Sequence, residues 1–467
     1  MPSMQTQDLH AQEKELVDRV RASNPERVYR EHSPDQDFIL GRIGVTYLPQ
    51  NRPAGYLRLY PHDFLVEEIL TDGRVIPLSG APAFQDQEDR RTLWADLVKA
   101  GISGPHAVTD LAAALGIEMD RIGYAGIKDA MAVTSQRLSL RGVTREEAEA
   151  VNHARLFLRP IEYGSGALQP GDLAGNRFTI LIRSSSEDSI DAQLDVLQRR
   201  GFYNIFGPQR FGTRLISHRL GQSILKNDIE RVLRMYFGEP GPFDVPLFSD
   251  VRKALGESYG DWDAMLEVAS NFPYTLRDEI KLLKALRQDP KKTRAALSII
   301  KDQVKLWVYA YGSWLMNRTL SAHVENGTEP PRDLRLPLTP TGPLPEYEAL
   351  MRQDGTLAYR DALAMFPYIP TSTKSIPSMV IPVDLEQKRV PQGWIIRFSL
   401  GKGSYATSCL SHVFKLYEGL PVPEWVPGGD IDTFQELGES DLADIRARFK
   451  DVLVRRDVIQ QETGGEE

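Results

Sequence analysis

The chain has 467 residues, with 41% hydrophobic, 26% charged and 9% aromatic residues and a formal net charge of −8. This balance excludes a disordered or fibrous protein, and the length implies two or three domains. One cysteine, Cys409, and eight histidines exclude a disulfide framework, a cysteine-rich zinc module and an iron–sulfur cluster. The N-terminus lacks the apolar stretch of a signal peptide, and no run of about eighteen apolar residues offers a membrane span. A cytoplasmic protein with no membrane association is expected.

In chain order, residues 1–40 are charged and without an apolar period, which predicts a helical or disordered extension with no catalytic part. From about residue 53, strand-like and helix-like stretches alternate: Phe64–Ile69 reads as a strand, and Val108–Leu115 as a helix closed by Gly116. Arg177–Arg183 is the clearest strand, followed by a helix over Asp191–Arg200 that Gly201 can end. Ile300, Val304, Trp307, Val308, Tyr311 and Leu315 lie on one helical stripe, which predicts a long core helix. Prolines at 330, 331, 337, 340, 343 and 345, then at 367, 370, 377 and 382, predict loops or boundaries. The strand-like Trp394–Leu400 resumes the earlier style. This is an α+β pattern in which a helical insert divides one domain. The tail from Asp430, with 11 acidic against 5 basic residues, reads as a solvated helix and end.

Charge follows the same divisions. Residues 1–40 and 41–203 each carry −3, residues 381–467 carry −5, and only 204–380 is basic, at +3. Within that segment, 277–305 holds nine basic residues against four acids. Lys281, Lys284, Arg287, Lys291, Lys292 and Arg294 are the candidate phosphate contacts; the alternative is a solvated helix surface.

Most catalytic signatures are missing: no H-E-x-x-H, P-loop, G-x-S-x-G or G-x-G-x-x-G occurs. Cys409, among Ala406-Thr-Ser-Cys-Leu410, reads as a small buried apolar residue. The unusual segment is Ile122–Gln136, where Lys128 and Asp129 follow Gly126 and precede small residues. Composition alone makes Asp129 a turn or N-cap residue.

The run Gly126, Lys128, Asp129, Ala132, Thr134, Gln136 resembles the signature G-x-K-D-x-x-A-x-T-x-Q of the TruD family of tRNA pseudouridine synthases. Asp63–Glu67, Gly175–Phe178, Asn204–Gly212, Tyr309–Arg318 and Gly403–Thr407 resemble further family segments in the same order, so that the similarity spans about 55–415. The resemblance implies a split catalytic domain with a mixed β-sheet, residues 41–203 and 381–467, interrupted by a mainly helical TRUD domain at 204–380. It implies RNA-uridine isomerisation: the N1 glycosidic bond breaks, the uracil turns and C5 joins the ribose. The substrate would be tRNA, by family analogy at position 13. No metal, nucleotide or redox cofactor and no obligatory protein partner is implied.

Carried over residue by residue, the resemblance makes Asp129 the essential carboxylate and Arg58 its cationic partner. Phe64, Phe178 and Tyr405 become the aromatic residues near a uracil removed from its stack, Asn176 a match for its amide edge, and Lys128 a further substrate-binding residue. Two departures stand out: Leu400-Gly401 replaces the family's Leu-Pro, and Ser411-His412 its Arg-Glu. A non-catalytic RNA-binding or RNA-folding protein on the same scaffold is the alternative.

Overall fold

The strand expected over Arg177–Arg183 runs from Gly175 to Arg183 and lies inside a ten-stranded mixed sheet in the computed structural model, which describes residues 4–30, 34–80, 84–85, 92–164 and 166–457. The strands are β1 (Ala54–Tyr56), β2 (Phe64–Ile69), β3 (Thr92–Ala100), β4 (Ile122–Tyr124), β5 (Val133–Arg141), β6 (Leu156–Gly164), β7 (Gly175–Arg183), β8 (Val383–Val390), β9 (Gly393–Gly401) and β10 (Lys415–Tyr417). They run in the order β8-β9-β7-β2-β5-β3-β6; β4 pairs with β5, and β1 with β10 and β7. β2 lies parallel to β5 and antiparallel to β7, so the sheet is mixed.

Register decides which residues share a face. Phe64, Val66 and Glu68 oppose Ile180, Phe178 and Asn176, and Phe178 opposes Phe398 on β9. Because strand side chains alternate, these residues lie on one face. Gly175 allows this register: a Cβ there would stand 2.0 Å from the Leu400 carbonyl oxygen across β9, which accounts for glycine at the head of Gly175-Asn-Arg-Phe178.

The opposite face corrects the expectation of a solvated tail. Phe434, Leu442, Ile445, Phe449 and Leu453 form an apolar cluster with Leu65, Val98, Ala100 and Val133. Their spacing within an acidic stretch hides an apolar stripe, whose burial stabilises the fold by about 1.5–3 kcal/mol per large side chain. Residues 458–467 lie outside the described residues.

Two compact units emerge. One comprises residues 52–201 and 381–457 and contains the sheet; the other comprises residues 4–51 and 202–380. The N-terminal segment thus belongs with the helical unit through Asn51, not with an independent extension to 40 and a sheet domain from 41. Glu13 accepts from the Tyr274 and Thr275 amides at 2.8 and 2.9 Å, while Val17, Ile39, Leu40 and Ile43 enter the helical core. Few apolar residues spread among many charges conceal this packing in sequence.

The long helix is Lys301–Glu325, and every residue of the stripe from Ile300 to Leu315 is buried in that core. Asn317, fully buried, donates to the Ile43 and Phe206 carbonyls and accepts from the Phe206 amide. Its amide thus bonds three backbone groups of two distant segments. The two proline-rich stretches pair with each other: Asp333–Arg335 runs antiparallel to Ser375–Pro377.

Candidate active site

Arg58 lies between β1 and β2 with φ = 58°, a left-handed conformation that costs a non-glycine residue about 1 kcal/mol or more. The turn that follows is held firmly: Asp63 receives two guanidinium bonds from Arg183, at 2.7 and 2.8 Å, and accepts the Tyr60 amide at 3.0 Å. Arg183 is wholly buried, and its Nη1 also donates to the carbonyls of Pro427, Gly428 and Gly429.

From that turn the Arg58 guanidinium lies 3.8 Å above the centre of the Phe64 ring. Its Nη2 donates to Asp129 Oδ1 at 3.0 Å, and its Nη1 to both oxygens of Glu418 at 2.9 Å. Burial acts to lower the Arg58 pKa, but Glu418 and Asp129 outweigh it and hold the group above its ordinary value. Burial likewise raises Glu418, whereas Arg58 and Arg456 outweigh it and keep that carboxyl below the usual range. Asp129 keeps 28% of its side chain exposed, so a ligand can reach it.

The loop carrying Asp129 connects β4 and β5 and is tied along its length. Lys99 Nζ donates to the Asp129 carbonyl at 2.6 Å and to that of Ile102 at 2.8 Å. Lys128 Nζ meets Glu68 Oε2 at 2.6 Å, Glu68 Oε1 accepts the Arg137 amide, and Gln136 donates to the Gly126 carbonyl. The signature residues therefore hold the loop closed around one accessible carboxylate.

Burial pushes the Lys99 ammonium down to about 8 from 10.5, with Asp129 opposing the shift and Lys128 adding to it. Between those values the unfolded chain binds more protons than the folded one, so this group favours folding increasingly as pH rises. We expect the stability of the wild type relative to Lys99→Met to grow by about 1.4 kcal/mol per unit across that window. Urea unfolding at pH 7, 8, 9 and 10 checks it; a difference constant with pH would contradict the shift.

The residues singled out in the sequence fall into distinct places. Arg58 and Asp129 touch; Phe64, Phe178 and Asn176 share the sheet face beneath them. Phe64 is 1% exposed, with one ring face against Arg58 and an edge contact with Phe178, so its ring supports the cation. Lys128 is buried and engaged by Glu68. Asn176 Oδ1 is buried without a hydrogen-bond partner, on the position directly across from Glu68. Tyr405 follows β9, whose Leu400 pairs with Asn176, and is half-buried. Cys409 is buried, its thiol pushed up by burial.

Sequence reasoning missed Lys99, Glu68, Glu418 and Arg456. Lys99 and Glu68 are buried by the strands that flank β3 and β2, and only the pairing of β1 with β10 brings Glu418 to Arg58. In the helical unit, the helix Arg277–Gln288 buries Leu282, Leu283 and Leu286 and exposes Lys281, Lys284 and Arg287. Lys281, Arg287 and Lys292 pair with Asp278, Asp263 and Asp289, and Arg294 donates to Asn227. Among the described residues, Lys284 and Lys291 make no ion pair.

With this geometry established, relatives can be compared. A model of the family tRNA pseudouridine synthase D (TruD) matches residues 44–333. The chain is 30% identical over 417 residues to the tRNA pseudouridine synthase D of Geotalea daltonii, covering 79% of this chain and 99% of that one. With that of Syntrophotalea carbinolica it shares 27% over 411 residues, with 79% and 99% covered. A crystal structure from Methanosarcina mazei, assigned as tRNA pseudouridine synthase D, superposes with a TM-score of 0.59 at 20% identity, covering 81% of this chain and 98% of the other. That likeness bears on the fold, a mixed sheet with a helical region. No described helix is long and apolar enough to cross a membrane. The matched signature, carried on a loop held around Asp129, and the nearly full-length relatives establish that the chain belongs to the TruD family of tRNA pseudouridine synthases, which are isomerases.

Proposed function

We propose that the chain isomerises the uridine at position 13 of tRNA, with Asp129 as the carboxylate that acts on the ribose. The observation that carries this is the accessible Asp129 side chain held by Arg58 at 3.0 Å. Arg58 compensates the charge that Asp129 must keep, whether it attacks C1′ or removes the C2′ proton. Phe64 supports that cation. The unpartnered Asn176 Oδ1 accepts the uracil N3–H, while Phe178 and Tyr405 flank the base. Lys128 serves the site through Glu68, by holding the loop. The lone buried cysteine supports a cytoplasmic location.

Mapping pseudouridine in tRNA incubated with pure protein tests the assignment. Product at position 13 is expected; product elsewhere overturns the position, and no product overturns the reaction.

The surface between 277 and 305 is assigned to RNA phosphates. Lys284, Lys291 and Arg294 have the fewest internal charge partners, so reversing all three to glutamate should raise KM at least about 10-fold while kcat changes little. Each phosphate no longer neutralised should also flatten the slope of log affinity against log salt by about 0.7–0.9. Titration with labelled tRNA at several salt concentrations checks it; unchanged affinity and slope would place the RNA elsewhere.

A further inference from the structure

The C-terminal segment reaches the Arg58 turn in two ways. The Arg456 amide donates to the Leu59 carbonyl at 2.8 Å, and Arg456 Nη1 donates to Glu418 Oε1 at 3.3 Å. Arg456 is 3% exposed, so the contact is not a passing surface pair. Glu418 comes to Arg58 through strand pairing: Tyr56 opposes Tyr417 in the parallel β1–β10 pair, and the Tyr56 hydroxyl donates to the Gly419 carbonyl at 2.8 Å. The two side chains therefore leave adjacent strand ends together. Charges then alternate along a continuous row, Arg456, Glu418, Arg58 and Asp129.

We propose that Glu418 and Arg456 are positioning residues of the isomerase: Arg456 orients Glu418, and Glu418 fixes the guanidinium that in turn orients Asp129. This rests on the assignment of Asp129 and Arg58 above. The physical argument is that Arg58 is a long side chain making one bond to Asp129. Without a second anchor it would swing over Phe64, and Asp129 would lose its defined direction. Glu418 supplies that anchor by accepting from Nη1 with both oxygens, which leaves Nη2 aimed at Asp129. Arg456 compensates the second carboxylate, so the anchor adds no net negative charge beside Asp129.

Steady-state kinetics on tRNA with Glu418→Gln, Arg456→Gln and the double variant test this, with Asp129→Asn as reference and circular dichroism confirming the fold of each. Each single variant is expected to lower kcat by about 10- to 100-fold with KM within about 3-fold, since a slight misplacement of a reacting group has that scale. The double variant should be no slower than Glu418→Gln, because both act through one guanidinium. Unchanged kcat, an effect confined to KM, or losses that multiply in the double variant would each overturn the proposal. Should Arg456→Gln fail to fold, Glu418→Gln decides alone, since it alters no backbone contact. An active Asp129→Asn enzyme would instead overturn the underlying assignment, which separates the two failures.

Discussion

Asp129→Asn is expected to abolish pseudouridine formation, lowering turnover by about four orders of magnitude or more, the scale for removing a catalytic group that acts within a unit. The substitution keeps size and shape, and the amide oxygen can still accept from Arg58 Nη2, now at 3.0 Å from Oδ1. The backbone carbonyl retains its bond from Lys99. What disappears is the negative charge and the electron pair proposed above to act on the ribose. Affinity for tRNA should stay within a few fold, because the loop and the basic surface are untouched. Pseudouridine mapping and a binding titration on the same preparation check both halves. Substantial product from the variant would sink the role of Asp129, and a large drop in affinity would mean the residue serves binding.

The largest effect on stability is expected from Arg183→Ala. Arg183 and Asp63 are 0% and 1% exposed, and the guanidinium also satisfies three carbonyls at 427–429. Truncation leaves the buried Asp63 carboxylate facing no cation, a loss of about 3–5 kcal/mol. Asp63→Asn should cost less, because Arg183 keeps its carbonyl partners. Urea unfolding of the two variants checks the order. An Arg183→Ala protein within about 1 kcal/mol of wild type would show that water replaces the missing bonds.

How far the sequence discloses this molecule depends on whether a local pattern or a distant partner sets each feature. Phe64–Ile69 and Asp191–Arg200 have the bounds read from periodicity, because their apolar spacing and the glycine after the helix are local signals. The helix expected from Val108 starts at Gly104, where the Ser103 side chain accepts the His106 amide; the cap precedes the apolar run and so escapes a reading based on period. The packed C-terminal segment is hidden by its charge, and the burial of Lys99 is set by the strands β5 and β6 that flank β3. At the site, Asp129 is legible through the family signature and Arg58 through the wider resemblance to the family. Their neighbours Glu418 and Arg456 are not, since nothing near residue 58 announces a partner some 360 residues later in the chain.

The placement of β9 bears on how the protein is made. β7 ends at Arg183, yet the strand that covers its open side runs from Gly393 to Gly401 and pairs with it over its whole length. Synthesis of the 218 residues from 184 to 401 takes about 10–45 s at ordinary ribosome speeds. Throughout that interval the run Phe178-Thr-Ile-Leu-Ile182 is an apolar strand with one unsatisfied edge, open to pairing with neighbouring nascent chains. The helical unit is completed in the same interval. Expression yield should therefore depend on chaperone supply during translation more than on the stability of the finished fold.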